Sequence, residues 1–440
     1  MKPGIGLSIL ILIAIITFTT GDAPCADLNL HGQYRINYYA DSKSDKNAFG
    51  DENLSAARLR FRPTFDSAIN DDISVHIQFN IGHIKDSVFN QQFDFNHRGD
   101  NDSNPAFGLR HGFIKAKLTE GITGAAGIIP LSDKFGDTLF SSLWDFNPLA
   151  LRFTGKIRDI NIRVATGKVT EREENKDDDF DSYLLDLDYG GIGGSFYYFM
   201  AEEPNSLGAG FTGTNLTLAI YGLRAERDLG NFNISGFIMG SSYNEKDAIS
   251  STDDRSANGL AAKLAVSLPV NSVKIGAMAI YTMGDSDFKD NKHYSNSFIT
   301  PMSLYGGHGY WGFTGKLNIQ GPTDTGIDDP VRIDGGSYNN NNLGMGLTTV
   351  QVNADFPIIN RLDGYVAIGY YTLNDAPANR DKYIGTDVYT QLKWNIGKAL
   401  NLQSGVDFAA LGKGHHAAST GSEYKSRTVT TFFSQLQLEW

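Results

Sequence analysis

Segments in which apolar and polar residues strictly alternate, each about 9–12 residues long, recur along this 440-residue chain. "LNLHGQYRINYY" puts Leu28, Leu30, Tyr34, Ile36 and Tyr38 on one side, with Asn29, His31, Gln33, Arg35 and Asn37 on the other. "ISVHIQFNIG" sorts Ile73, Val75, Ile77, Phe79 and Ile81 from Ser74, His76, Gln78 and Asn80. "VQVNADF", "DVYTQLKWNI" and "LNLQSGVDF" repeat the pattern, as does the closing "TFFSQLQLEW". In that last segment Phe432, Leu436, Leu438 and Trp440 oppose Thr431, Gln435, Gln437 and Glu439. Side chains alternate faces on a β-strand, so each segment has one apolar and one polar face. Chain termini are usually polar and frayed; this one reads as tied into a sheet.

Sandwiches and membrane barrels both alternate, and length separates them. Sandwich strands commonly run about 5–6 residues, whereas a tilted membrane-crossing strand needs about 9–11. Connection lengths agree with the barrel. "SAINDD", "RD", "RDLGN", "LPVNS" and "NIGKA" are short, while "DSKSDKNAFGDE", "REENKDDDFD", "YNEKDAISSTDDRSA" and "LGKGHHAASTGSEYKS" are long and polar. The expected fold is therefore all-β: a transmembrane antiparallel β-barrel with short periplasmic turns and long extracellular loops. About 18 strands fit between 28–40 and 427–440, with 16 the next even number down. Even parity keeps both ends periplasmic. A further candidate at 309–319 would break that parity and is assigned to one long external loop, 284–344.

Composition is consistent with this. Glycine is frequent (48), proline scarce (13), aromatics reach 12%, and mean hydropathy is only −0.27. A barrel keeps low average hydropathy because only alternate residues meet lipid. The single cysteine, Cys25, excludes a disulfide framework and a cysteine metal site. It falls within "MKPGIGLSILILIAIITFTTGDAPCA", which reads as a signal peptide over 1–26, cleaved after Ala26. Residues 27–440 are expected to form one exported domain, a barrel of an outer membrane.

The polar faces locate candidate function. Arg58, Arg60 and Arg62 oppose Leu59, Phe61 and Phe65 and so point into the lumen, with Arg35 on the neighbouring strand. Arginine facing lipid at the midplane would cost about 2–4 kcal/mol. Arg152, Lys156 and Arg163 extend this stripe. Such a set attracts anions, and its plainer reading is internal pairing with acids such as Asp66. "PLSDKFGDTLFSSLWDFNP" is apolar for an external loop, since Phe135, Leu139, Phe140, Trp144 and Phe146 need burial. A loop near 130–148 folded inward would bury them and narrow the pore, with Asp133, Asp137 and Asp145 facing the arginines. Trp394 falls near a periplasmic strand end, and Tyr38 and Tyr281 near external ends, as girdle residues do.

Catalytic signals are missing from the pattern. The nine histidines are scattered, no HExxH or GxSxG occurs, and "GGIGG" at 190–194 reads as a turn. The acidic segments at 41–52 and 171–181 lack the spacing of a calcium loop. No enzyme activity, metal, cofactor or nucleic acid is expected.

The terminal strand, with Phe432, Leu436, Leu438 and Trp440, resembles the assembly signal of bacterial outer-membrane proteins. "ARLRFRPTFD" and "GIIPLSDKFGDTLFSSLWDFNPLALRFTG" resemble segments of porins and alginate-export-type barrels of Gram-negative bacteria. The resemblance implies a channel for hydrophilic solutes. The expectation is an outer-membrane porin for passive diffusion of small hydrophilic solutes and ions, with modest anion preference. A channel for saccharides or an anionic polysaccharide, or a barrel scaffold for an electron-transfer partner, is the alternative. Expected partners are outer-membrane lipid and lipopolysaccharide, the barrel-assembly machinery and the solutes themselves, and association into a homo-oligomer is compatible with such a barrel.

Overall fold

In the computed structural model, the described residues are 27–44, 52–81, 107–142, 146–170, 179–202, 215–250, 253–285, 294–301, 346–376, 381–414 and 427–440. The expected signal peptide and the candidate strand at 309–319 lie outside them. The strands are β1 (Asp27–Ser44), β2 (Glu52–Ala68), β3 (Ile73–Ile81), β4 (Phe107–Thr119), β5 (Ile122–Ile128), β6 (Leu149–Ile157) and β7 (Ile160–Thr170). There follow β8 (Phe180–Tyr189), β9 (Ile192–Glu202), β10 (Asn215–Leu229), β11 (Phe232–Ser250), β12 (Asp253–Val270) and β13 (Val273–Thr282). The last are β14 (Tyr294–Ser295), β15 (Leu347–Ile359), β16 (Leu362–Leu373), β17 (Tyr383–Asn395), β18 (Leu400–Leu411) and β19 (Arg427–Glu439).

All but β14 form a closed antiparallel barrel of 18 strands. Each pairs with its neighbours in sequence, β13 pairs with β15, and β19 closes the ring on β1 with Tyr34 opposite Leu438 and Ile36 opposite Leu436. Closure matters because an open edge would leave backbone amides unpaired in lipid. Trp440 finishes the seam: its amide and carbonyl exchange hydrogen bonds with Gly32 at 3.2 and 3.1 Å. Its indole stacks on Phe61 of β2 at 5.5 Å, so it bridges three strands on the outer face.

The alternation becomes an outside and an inside. On β6, Leu149, Leu151 and Phe153 face outward and are exposed, while Ala150, Arg152 and Thr154 face inward. Trp394 and Trp440 lie exposed at the end shared with the short turns, and Tyr38 and Tyr281 toward the other end. Gly190 and Gly191 join β8 to β9 with φ of 55° and 81°, the left-handed pair a two-residue hairpin favours.

One part of the inner wall is not polar. On β10, Leu216, Leu218 and Ile220 face inward and are buried, as are Tyr197 and Phe199 on β9 and Phe237 and Met239 on β11. These residues are the seat of a core inside the barrel. Among the described residues no helix is long and apolar enough to cross a membrane, which says nothing of strands that do.

Candidate functional site

What covers that inner core is the connection between β5 and β6. Its two arms continue the β5–β6 ladder inward: Ile129 N donates to Pro148 O at 3.0 Å, Leu131 N to Phe146 O at 3.2 Å and Asp133 N to Phe140 O at 3.0 Å. Ile129, Leu131, Phe135, Leu139, Phe140 and Phe146 are all buried. Phe135 meets Tyr197 and Phe237 edge-on at 6.0 and 5.5 Å, and Phe140 meets Tyr197 at 5.2 Å and Phe199 at 5.9 Å. Gly222 of β10 makes room, since a Cβ there would lie 2.9 Å from the Phe135 ring. The Arg224 guanidinium also sits over that ring, 5.8 Å from its centroid. The segment thus lies inside the barrel against the inner faces of β9–β11.

Asp133 organises this loop. Its carboxylate accepts hydrogen bonds from the amides of Phe135 at 2.6 Å, Leu139 at 2.6 Å and Phe140 at 3.0 Å. Burial pushes its carboxyl up to about 7 against the pull of those three amides. Asp133 therefore does not face the arginines as the sequence suggested. A tight loop whose amides have no ladder partner takes the nearest acceptor, which is its own aspartate. Asp137 lies at the loop tip with φ of 57°, partly exposed, and Asp145 lies outside the described residues.

A second segment also turns inward. Residues 294–301 belong to the connection the sequence placed wholly outside, 284–344. Ser295, Ser297, Phe298, Ile299 and Thr300 are buried, and Ile299 N donates to the inward-facing Ser241 at 3.0 Å. β14 pairs in parallel with Ser256 and Ala257 of β12, and a Cβ on Gly259 would overlap the Phe298 backbone.

The basic residues divide into two groups. Arg35 of β1 stands directly opposite Arg60 of β2 in the register, and Arg62 follows one inward position on, opposite Gln33. Arg35 Nε donates to Gln437 at 2.9 Å, Arg60 Nη2 to Gln33 at 2.6 Å and Arg62 Nε to Asn80 at 2.9 Å. A cavity of about 450 Å³ opens here, lined by His31, Gln33, Arg62, Thr64, Gln78, Arg110 and Glu439 among others. Arg58 pairs through its backbone with Asn37, and its side chain lies outside the described residues.

The other three basic residues have local duties. Arg152 reaches the Pro130 carbonyl at 3.4 Å and lies over the Phe113 ring, so it props the loop neck. Arg163 pairs with the buried Asp186 at 2.6 Å, whose carboxylate also accepts from Ser195 and Tyr197. Lys156 is exposed near Asp159 by a short turn. Asp66 does not hold an arginine among its hydrogen-bond partners here. It bridges His31 and His76, each at 2.7 Å. Sequence reasoning missed Arg110 and Arg224, because neither lies in a run of basic residues. No group of three or more metal-ligating side chains occurs among the described residues.

No family model matches the chain, and no curated protein matches it in sequence. Solved structures are. The Pseudomonas aeruginosa protein OccK9 (OpdG) superposes with a TM-score of 0.58 at 10% identity, over 94% of this chain and 99% of that one. OpdO of the same organism gives 0.57 at 13% identity over 94% and 97%, and OpdK with vanillate gives 0.55 at 10% over 94% and 99%. These neighbours are outer-membrane porins. The fold of this chain is that of a bacterial outer-membrane porin, a class found in the outer membrane of Gram-negative cells.

Proposed function

We propose that this barrel is a passive porin: a water-filled path for small hydrophilic solutes and ions, with anion preference set by the arginines of β1, β2 and β4. The observation that carries the reading is the Arg35–Arg60 pair. Like charges directly opposite on adjacent strands are destabilising. A sheet selected for stability alone would separate them. In a narrow lumen with low-dielectric walls the same charges concentrate anions. The neighbour OpdK holds vanillate, whose carboxylate is the kind of group such a wall would admit.

The inner loop favours a channel over a scaffold. A barrel that sheathes a protein partner needs a free lumen, and here the β9–β11 side is filled by the chain's own segment. In the same reading the barrel-assembly machinery receives β19, and lipid and lipopolysaccharide surround the outer face. The test is the reversal potential in planar bilayers across a salt gradient of about 0.01–0.1 M, where the Debye length is about 30–10 Å. Wild-type channels should prefer anions, and replacing Arg35, Arg60 and Arg62 by serine should shift the potential toward cations. A cation-preferring wild type, or a potential the triple replacement leaves alone, overturns the reading.

A further inference from the structure

β4 slips register against β3 between Gln78 and Phe79, where Gln78 pairs with His111 and Phe79 with Leu109. The extra residue of this bulge is Arg110. A bulge re-aims side chains, and here two consecutive residues serve the lumen: Leu109 is exposed to lipid, Arg110 lines the cavity and His111 is buried. Arg110 reaches in two directions. Its Nη1 donates to the cavity-lining Gln78 at 2.7 Å, and its Nη2 donates to the backbone carbonyl of Ser142 in the inner loop. His111 Nε2 lies 3.1 Å from Asn147 Oδ1, on the same returning arm of that loop as Ser142.

Ser142 is mechanically connected to the loop's organiser. Its amide donates to the Ser132 hydroxyl at 3.0 Å, and Ser132 precedes Asp133, which gathers three amides. A shift at Ser142 therefore reaches the loop tip through two short links.

We propose that Arg110 couples occupancy of the cavity to the position of the inner loop. A small anionic solute lodged between Arg62 and Arg110 competes with the Ser142 carbonyl for the guanidinium and loosens the loop. This rests on the anion-preferring reading of the lumen. The guanidinium is a planar fork of five donors. A carboxylate or phosphate takes two of them at once in a bidentate pair with charge on both partners, whereas the Ser142 carbonyl takes one. Turning the fork to meet such a group carries Nη2 away from Ser142. Lysine would keep the charge but could not hold both partners in one plane.

The experiment uses benzoate as the probe and uncharged benzamide as its control, on protein exported and inserted in membranes. A nitroxide at Lys134→Cys, an exposed loop position, reports loop motion, since the sequence's only cysteine lies in the leader expected to be removed. In the otherwise unaltered channel, benzoate should add a short-lived conductance substate and a mobile spectral component, and benzamide should do neither. Arg110→Lys should keep the benzoate block of current and lose the spectral response. Arg110→Gln should show the mobile component with no solute present. An unresponsive spectrum in the unaltered channel, or an equal response in Arg110→Lys, overturns the coupling. If the reversal potential is anion-preferring alongside such a result, the porin reading stands and only the coupling falls.

Discussion

Replacing Phe135 by alanine should unseat the inner loop and leave the barrel closed. Phe135 is 3% exposed and fills the space between Tyr197, Phe237, Arg224 and the bare Gly222. Truncating a buried phenylalanine costs about 3–5 kcal/mol, a figure that includes its edge-to-face contacts. The loss falls on the loop because the strands behind it are held by their own ladders and by β19 closing on β1. At about 1.4 kcal/mol per tenfold change, amide exchange in the loop should speed up by about two to three and a half decades. The amides to follow are Asp133, bonded to the Phe140 carbonyl, and Phe146, bonded to Ser141. Hydrogen exchange in detergent or nanodiscs reads these directly, and single-channel conductance should rise as the loop vacates the lumen. Unchanged loop exchange would show that Phe135 is not the anchor. Equal acceleration in the strands would show that loop and barrel unfold together, and the local argument would fail.

Other perturbations separate the remaining roles. Asp133→Ala removes the acceptor for three loop amides, worth about 1–3 kcal/mol for each left unsatisfied, and should also raise conductance without lowering the amount of assembled protein. Because burial raises the Asp133 carboxyl to about 7 from an ordinary 3.8, its contribution to loop seating is full below about 4 and is lost as pH rises through about 7. Loop exchange in the unaltered protein, taken relative to the intrinsic amide rate at each pH, should therefore lose protection over that window, and the same loss in Asp133→Asn would refute the assignment. Arg163→Ala strands the buried Asp186 carboxylate and should destabilise the β7–β9 wall by about 3–5 kcal/mol, read as a lower unfolding temperature. Arg163→Ala with unchanged stability would mean that Ser195 and Tyr197 suffice for Asp186. Deleting Trp440 should lower the amount of assembled barrel more than the conductance of those that assemble, since it spans β19, β1 and β2. Normal surface levels would show that the seam closes without it.

The barrel was legible because its signal is repetitive. Each strand repeats one instruction, lipid on one face and lumen on the other, and errors at single positions do not change the count. The inner loop was legible in a weaker way: Phe135, Leu139, Phe140 and Phe146 had to be buried somewhere, but composition does not say against which wall. The receiving wall carries its own mark in "NLTLAIYGL". There the apolar residues are Leu216, Leu218 and Ile220 on one parity and then Tyr221 and Leu223 on the other. The register with β9 and β11 runs through this stretch without a bulge, so the switch is a change of face. The upper half of β10 is apolar inward because the loop lies there.

What pattern could not supply is which polar atoms meet. Asp133 reads in sequence as one more loop carboxylate, and only the fold of its own loop shows three amides converging on it. Asp66 looked like an arginine partner and is bridged by two histidines that come from β1 and β3. Arg110 is the sharpest case. Strict alternation from the outward Leu109 puts Arg110 inward and His111 outward, yet both serve the lumen, because a bulge inserts one residue where period-two reading allows none. Bulges have no reliable mark in a single sequence, and they are where a sheet departs from its own rule to place a side chain. The strand that carries this departure is also the one whose arginine touches both the cavity and the loop. An irregularity costs ladder bonds, so its presence at that position is itself an argument that the contact between lumen and loop matters.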